Sequence, residues 1–213
     1  MPGTEPDDAL PRARVDHPWF SRGYPLAEWA LEQALGDARR AQNAQASGRT
    51  LIIGAGTGLD VPVLGSRVTD VMLLEPDAAM RRTLLRRFPQ WTSVGAPAEA
   101  MPFIEEEFDS VISSLVLCSV GDVAHVFGEI TRVLVRGGQY LFLEHIANPH
   151  RLAGMVQQGI EPVWRRLGGG CRLTRDVETA VRQSPLTLTD CETVRSGGIL
   201  PVIRGRAVKN SGV

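Results

Sequence analysis

The sequence predicts an α/β fold: a doubly wound, mostly parallel seven-stranded sheet with helices on both faces and an antiparallel final hairpin. Three observations carry this. Short apolar runs alternate with segments of helical periodicity across short connections, the pattern of a parallel sheet wrapped by helices. The first apolar run, residues 50–53, stops at a glycine-rich turn, Gly54-Ala55-Gly56-Thr57-Gly58. The last third abandons the alternation and closes on two strand-like runs, residues 186–194 and 201–208.

Element by element, Leu26, Ala30, Leu31, Ala34, Leu35 and Ala38 recur at helical spacing and predict an N-terminal helix that fades before Arg49. Residues 50–53 run apolar without alternation, as a strand buried on both faces does. Residues 71–74 read as a second strand. Asp77 caps the helix after it, in which Met80, Leu84, Leu85 and Phe88 face inward and which Pro89 ends. Residues 91–94 and 108–113 read as strands three and four. Asp122 caps the clearest helix, whose Val123, Val126, Phe127, Ile130, Val133 and Leu134 form one apolar stripe, and Gly137-Gly138 is its expected end. Residues 139–146 are the fifth strand. Residues 152–167 are helical in pattern but interrupted by Gly159 and Pro162, and Thr174 is a candidate cap for a further helix.

A chain of 213 residues supports one well-buried core, so residues 1–213 are expected to form a single domain. Hydrophobic and charged fractions of 43% and 22% are those of a soluble protein, and no apolar run approaches a membrane span. Residues 1–16 are acidic and proline-rich, a flexible leader rather than a signal peptide, which points to the cytoplasm. Cys118, Cys171 and Cys191 are odd in number and scattered, which suits neither a disulfide framework nor a metal site of paired ligands. They are expected to be reduced thiols, with no metal. A net charge of -1 argues against nucleic acid and anionic membranes as partners and for a small-molecule substrate.

The most informative segment is the glycine turn. Glycine lets the chain reverse sharply and lets a ligand touch bare backbone. In open α/β sheets such a turn lies at the carboxyl ends of the strands, where ligands bind. Glu75 closes the second strand 21 residues after Gly54, where a carboxylate can accept both hydroxyls of an adenosine ribose. A dinucleotide would want glycine at position 59. The sequence has Leu59, and Pro62 leaves little room for a pyrophosphate-binding helix, so the pattern favours S-adenosylmethionine (SAM), which has no pyrophosphate.

In order, LIIGAGTG, LLEPD, GAPAEAMPF, EEEFDSVISS and RVLVRGGQYLFLEH resemble the successive motifs of class I SAM-dependent methyltransferases over residues 49–146. LVLCSV, FLEHI and EPVWRRLGGGCRLTRD are similar to a narrower group of methyltransferase-like proteins that includes alkyl-thiol methyltransferases, over residues 17–207. The resemblance implies that Gly54, Gly56 and Gly58, with Ala55 and Thr57, line the methionine end of SAM. It places Glu75 and Pro76 at the ribose with Met80 nearby, Ala98 and Glu99 at the adenine edge, and Ser114 and Leu115 in the turn after strand four. It makes residues 147–180 a substrate-facing lid. The activity it implies is methyl transfer from SAM to a small thiol or another compact heteroatom nucleophile, with S-adenosylhomocysteine (SAH) as product. One position departs: Ile52 stands two residues before Gly54, where these families commonly carry an acid. That leaves open a SAM-binding protein without methyl transfer.

Among individual side chains, His145 ends the fifth strand and has the pKa range of a base at neutral pH, so it is the catalytic candidate on the acceptor side. Tyr24, with Trp19 and Phe20, either meets the sulfonium or packs on the N-terminal helix. Cys118 is expected to pack as a small hydrophobe. Arg165, Arg166, Arg172 and Arg175 form a solvated basic face or an attraction for an anionic substrate.

Overall fold

The computed structural model describes residues 18–195, 198 and 200–211, with side chains from residue 28 onward. The expected leader and the side chains of Trp19, Phe20 and Tyr24 lie outside these. The order is α1 (Pro18–Asn43), β1 (Gly48–Ile53), a 3-10 turn (Val61–Val63), β2 (Val68–Leu74), α2 (Ala78–Arg87), β3 (Thr92–Val94), β4 (Phe108–Ser114), α3 (Val123–Val133), β5 (Leu134–His145), α4 (Arg151–Leu167), α5 (Val177–Gln183), β6 (Thr187–Arg195) and β7 (Val202–Val208).

The described strands form one seven-stranded sheet in the order β3-β2-β1-β4-β5-β7-β6. β1 to β5 pair in parallel, and β7 runs antiparallel to both of its neighbours. Successive side chains along a strand take opposite faces, and that alternation sorts the core into two layers. Ile52, Leu73, Ile112 and Leu141 pack with Leu84 of α2, and Leu143 packs with Leu35 of α1. Leu51, Ile53, Val111, Tyr140 and Phe142 pack on the other face against Val126, Phe127, Ile130 and Val133 of α3 and Val177 and Val181 of α5. Each such buried side chain contributes about 1.5–3 kcal/mol. The chain steps outward from β1 through β2 to β3 and then returns to β1's other side with β4. The loops after β1 and β4 therefore diverge there, at the switch point where open α/β sheets bind their ligands.

Asp77 and Asp122 cap α2 and α3 as the sequence predicts, each accepting two backbone N–H groups. Four expectations fail. Leu85 does not face inward: it is 43% exposed on α2 while Leu84 beside it is buried. Gly137-Gly138 does not end α3: Leu134 is already extended, with φ -71° and ψ 137°. It opens β5 opposite Phe108, and the glycine pair lies inside that strand, where Gly137 donates to Lys209 and Lys209 donates to Gly138. Gly159 and Pro162 do not interrupt α4, which runs 17 residues through both. Gln158 and Pro162 are exposed, so water reaches the carbonyl that proline leaves without a donor. Thr174 does not cap α5. Its N–H and hydroxyl both donate to Glu161, and Asp176 caps the helix by accepting from the Thr179 N–H at 3.0 Å.

Candidate active site

Three turns meet at the carboxyl ends of β1, β2 and β4. In the first, Gly54, Gly56 and Gly58 have φ of 57°, 56° and 95°, a region that side chains with a Cβ rarely enter. Packing adds to this. A Cβ on Gly54 would lie 2.7 Å from Val116, and one on Gly58 would lie 2.4 Å from Phe88. Ala55 and Thr57, both buried, complete the turn.

Glu75, only 5% exposed, links the second turn to the first. Its two oxygens accept the Gly56 N–H at 2.7 Å and the Asp77 N–H at 2.8 Å. Burial pushes its carboxyl up from the ordinary range, and those two backbone donors pull against the rise. A carboxylate has about four lone-pair sites, so two remain for hydroxyl donors. Pro76 is half-buried beside it, and Met80 is buried in the first turn of α2. Ala98 is buried in the loop after β3, and Glu99 accepts the Gly121 N–H at 2.6 Å, tying that loop to the one before α3.

In the third turn, Ser114 donates its hydroxyl to Asp60 at 2.8 Å. Leu115 has φ 59° and is held by its N–H bond to Leu143. A left-handed leucine costs about 1–3 kcal/mol, strain that concentrates at ligand turns. Glu144, at the end of β5, fastens this turn by accepting from Val116 and Leu117 N–H and from the Ser113 hydroxyl. It is fully buried, and that burial raises its pKa to about 7.

His145 follows, 6% exposed, with Nε2 3.0 Å from Cys171 Sγ and Nδ1 buried without a partner. Cys118, in the loop after β4, completes a compact group: the ligand atoms of Cys118, His145 and Cys171 all lie within 4.8 Å of one another. Cys118's hydrogen bond and His145 lower Cys171 to about 5 against the cost of burial, while its bond to Cys171 and burial raise Cys118. The segment carrying Cys171 is fastened over the β4 turn. Arg172 N–H donates to Cys118 O, and the Arg175 guanidinium donates to the carbonyls of Leu117 and Val120.

Sequence reasoning missed four of these residues. Asp60 directly follows the glycine turn and takes Arg39, Asn43 and Ser114 on its carboxylate, so α1, the turn and β4 meet on one buried acid. Glu144 stood beside the chosen histidine. Cys118, expected to be a packing residue, and Cys171 face His145, and spacing along the chain gave no signal of it. Ile52 lies in the apolar layer, 1% exposed. Arg175 of the basic cluster points at carbonyls rather than solvent. A cavity of about 340 Å³ lies near Ser47, Asp109, Gly138 and Gln139, at the amino ends of the strands and away from these turns.

The methyltransferase domain family matches residues 51–142. The human thiol S-methyltransferase TMT1B is 34% identical over a 180-residue alignment that covers 77% of this chain and 72% of that protein. The chain belongs to the SAM-dependent methyltransferases. Human thiol S-methyltransferase TMT1A is 33% identical over a 175-residue alignment that covers 75% of this chain and 70% of the relative. The geranyl diphosphate C-methyltransferase of Streptomyces coelicolor A3(2), solved with SAH, superposes with a TM-score of 0.66 at 15% identity, covering 84% of this chain and 77% of that one. This methyltransferase uses SAM and acts on a small molecule. Among the described residues no helix is long and apolar enough to cross a membrane.

Proposed function

We propose that this methyltransferase transfers the methyl group of SAM to a small thiol. The observation that carries the reading is the 34% identity to a thiol S-methyltransferase along 77% of the chain, more of it than the methyltransferase domain at residues 51–142 accounts for. The residues present fit the cofactor. The left-handed φ of Gly54, Gly56 and Gly58 gives the tight turn the cofactor's methionine end needs, and Glu75 keeps acceptor capacity for two ribose hydroxyls in a buried setting. Gly54 to Gly58 would hold the methionine end, Glu75 and Pro76 the ribose with Met80 beside them, Ala98 and Glu99 the adenine edge, and Ser114 and Leu115 the side facing β4. The bound cofactor supplies an electrophilic methyl group on a sulfonium.

The protein's own part is chiefly alignment, which in favourable cases removes about 7–11 kcal/mol of barrier. Residues 147–180 form the lid over the acceptor, held to the β4 turn by Arg172 and Arg175. His145, next to Cys171, acts on the acceptor side by taking its proton or holding its nucleophile. Reduced thiols at Cys118 and Cys171 suit a cytoplasmic setting. Incubation with labelled SAM and a panel of alkyl thiols, each paired with its alcohol and amine analogue, tests the reading. Thiol-dependent SAH with an S-methyl product is expected. SAH formed with the amines or alcohols and with no thiol would overturn it.

A further inference from the structure

Cys118, His145 and Cys171 come from three separate elements: the loop after β4, the end of β5 and the loop after α4. All three are buried, at 2%, 6% and 9% exposure. Two sulfurs and a nitrogen in a dry pocket are costly unless something satisfies them. Within the protein the imidazole is held at one nitrogen only: Nε2 lies 3.0 Å from Cys171 Sγ, while Nδ1 has no partner. Hydrogen bonds from Arg172 to Cys118 O, from Arg175 to the β4 loop and from Ala147 to Arg175 O hold the three segments in place without using the cluster itself. Leu173 and Leu200 pack against the two sulfurs and offer no donor atom. Among the described residues no fourth histidine, cysteine or acid joins the group.

Two thiolates and an imidazole are the donor set of a soft or borderline cation. A tetrahedral zinc ion, with bonds of about 2.3 Å to sulfur and about 2.0–2.1 Å to nitrogen, holds its ligand atoms roughly 3.5 Å apart. The cluster lies within 4.8 Å, and its His145–Cys171 contact of 3.0 Å would open by about half an ångström. Structural zinc sites close with four protein ligands, whereas catalytic ones keep three and leave one position for water or substrate.

We propose that Cys118, His145 and Cys171 bind one Zn²⁺ ion and that its open fourth position takes the sulfur of the thiol acceptor. The second half rests on the thiol reading above. A free thiol with a pKa near 8.5 is only a few per cent ionised at neutral pH, and a coordinated thiol is deprotonated outright. Of the two roles open to His145, this site gives it the second, holding the nucleophile through the ion, and the acceptor gives its proton to bulk solvent as its sulfur enters the fourth position. A lone pair of that sulfur forms the bond to the methyl carbon as the bond from that carbon to the sulfonium breaks, and the pair from the broken bond stays on the sulfur of SAH. The neutral thioether product is a weaker ligand than the thiolate and leaves.

The test uses the full chain, reduced, stripped with a chelator and titrated with Co²⁺ alone. Saturation at one equivalent with thiolate-to-cobalt charge transfer and tetrahedral visible bands is expected, reversed by Zn²⁺. Cys118→Ser and Cys171→Ser should each weaken uptake by more than the about 10–100-fold that loss of an outer partner costs, while SAH still raises the melting temperature of both. Protein that binds SAH yet shows no saturable uptake, a Cys118–Cys171 disulfide that persists in place of metal, or uptake unchanged in both variants would overturn the site. Ethanethiol should perturb the cobalt bands. An unperturbed spectrum overturns the fourth-ligand role alone, and turnover of amines with no thiol overturns the acceptor reading while the metal site stands.

Discussion

The proposed cofactor side and the proposed acceptor side of this methyltransferase lie along one edge of one sheet and are built from different materials. The cofactor side is backbone: three left-handed glycines and a glutamate that ties them to the next turn. The acceptor side is side chain: two sulfurs and an imidazole from segments more than twenty residues apart in sequence. A shared cofactor needs the same bare backbone whatever the acceptor, while the acceptor is recognised by chemistry that side chains supply. The two halves should therefore fail separately.

The largest expected effect is on the acceptor side. His145→Asn should lower turnover of the thiol by about 10²–10⁴, the range for losing a group positioned at the reacting atoms, with SAH affinity kept. Initial rates beside a calorimetric titration read both. Next comes the buried pair under the glycine turn. Arg39 and Asp60 are 3% and 5% exposed and 3.1 Å apart, and Asp60→Ala leaves the guanidinium without that charge partner. Removing one member of such a pair costs about 3–5 kcal/mol. Denaturant unfolding should show that loss, and a wild-type midpoint would remove Asp60 from the scaffold.

On the cofactor side, Glu75→Ala should weaken SAM binding by about 1.5–3 kcal/mol, the range for hydrogen bonds to a charged group. Acidification gives a sharper form of the same test, because burial holds the Glu75 carboxyl above its ordinary 4.5. Protonation removes acceptor capacity, so SAH affinity should fall as the pH drops through that raised value. The free protein should respond with the opposite sign. A folded-state value above the unfolded one favours folding below the unfolded pKa, and the advantage fades as pH rises through the folded one. Affinity that stays flat across this range would take Glu75 out of the ribose site.

How legible each half was follows from the same difference. LIIGAGTG and LLEPD are contiguous, and the conformations they need restrict residue choice, so the turn and its glutamate stand out in the chain. The mostly parallel sheet follows from the same alternation of buried runs and amphipathic helices. Cys118, His145 and Cys171 carry no mutual spacing that marks them, because the fold, and not a local turn, sets their distances. Asp60 was hidden for a related reason: its partners Arg39 and Asn43 lie on a helix that packs back over the turn. The misplaced helix ends have local causes. Gly137 and Gly138 serve a strand junction with Lys209, and water-exposed Pro162 leaves α4 intact, neither of which shows in a periodicity count.

The separation of the two halves is tested most directly by titrating SAH into the double variant Cys118→Ser, Cys171→Ser beside the parent protein. Serine keeps the shape of both side chains and removes the sulfur, while the glycine turn and Glu75 are untouched. The account predicts the same SAH dissociation constant for both proteins together with loss of thiol turnover in the variant. A variant that loses SAH binding, or one that methylates thiols at the parent rate, would contradict it.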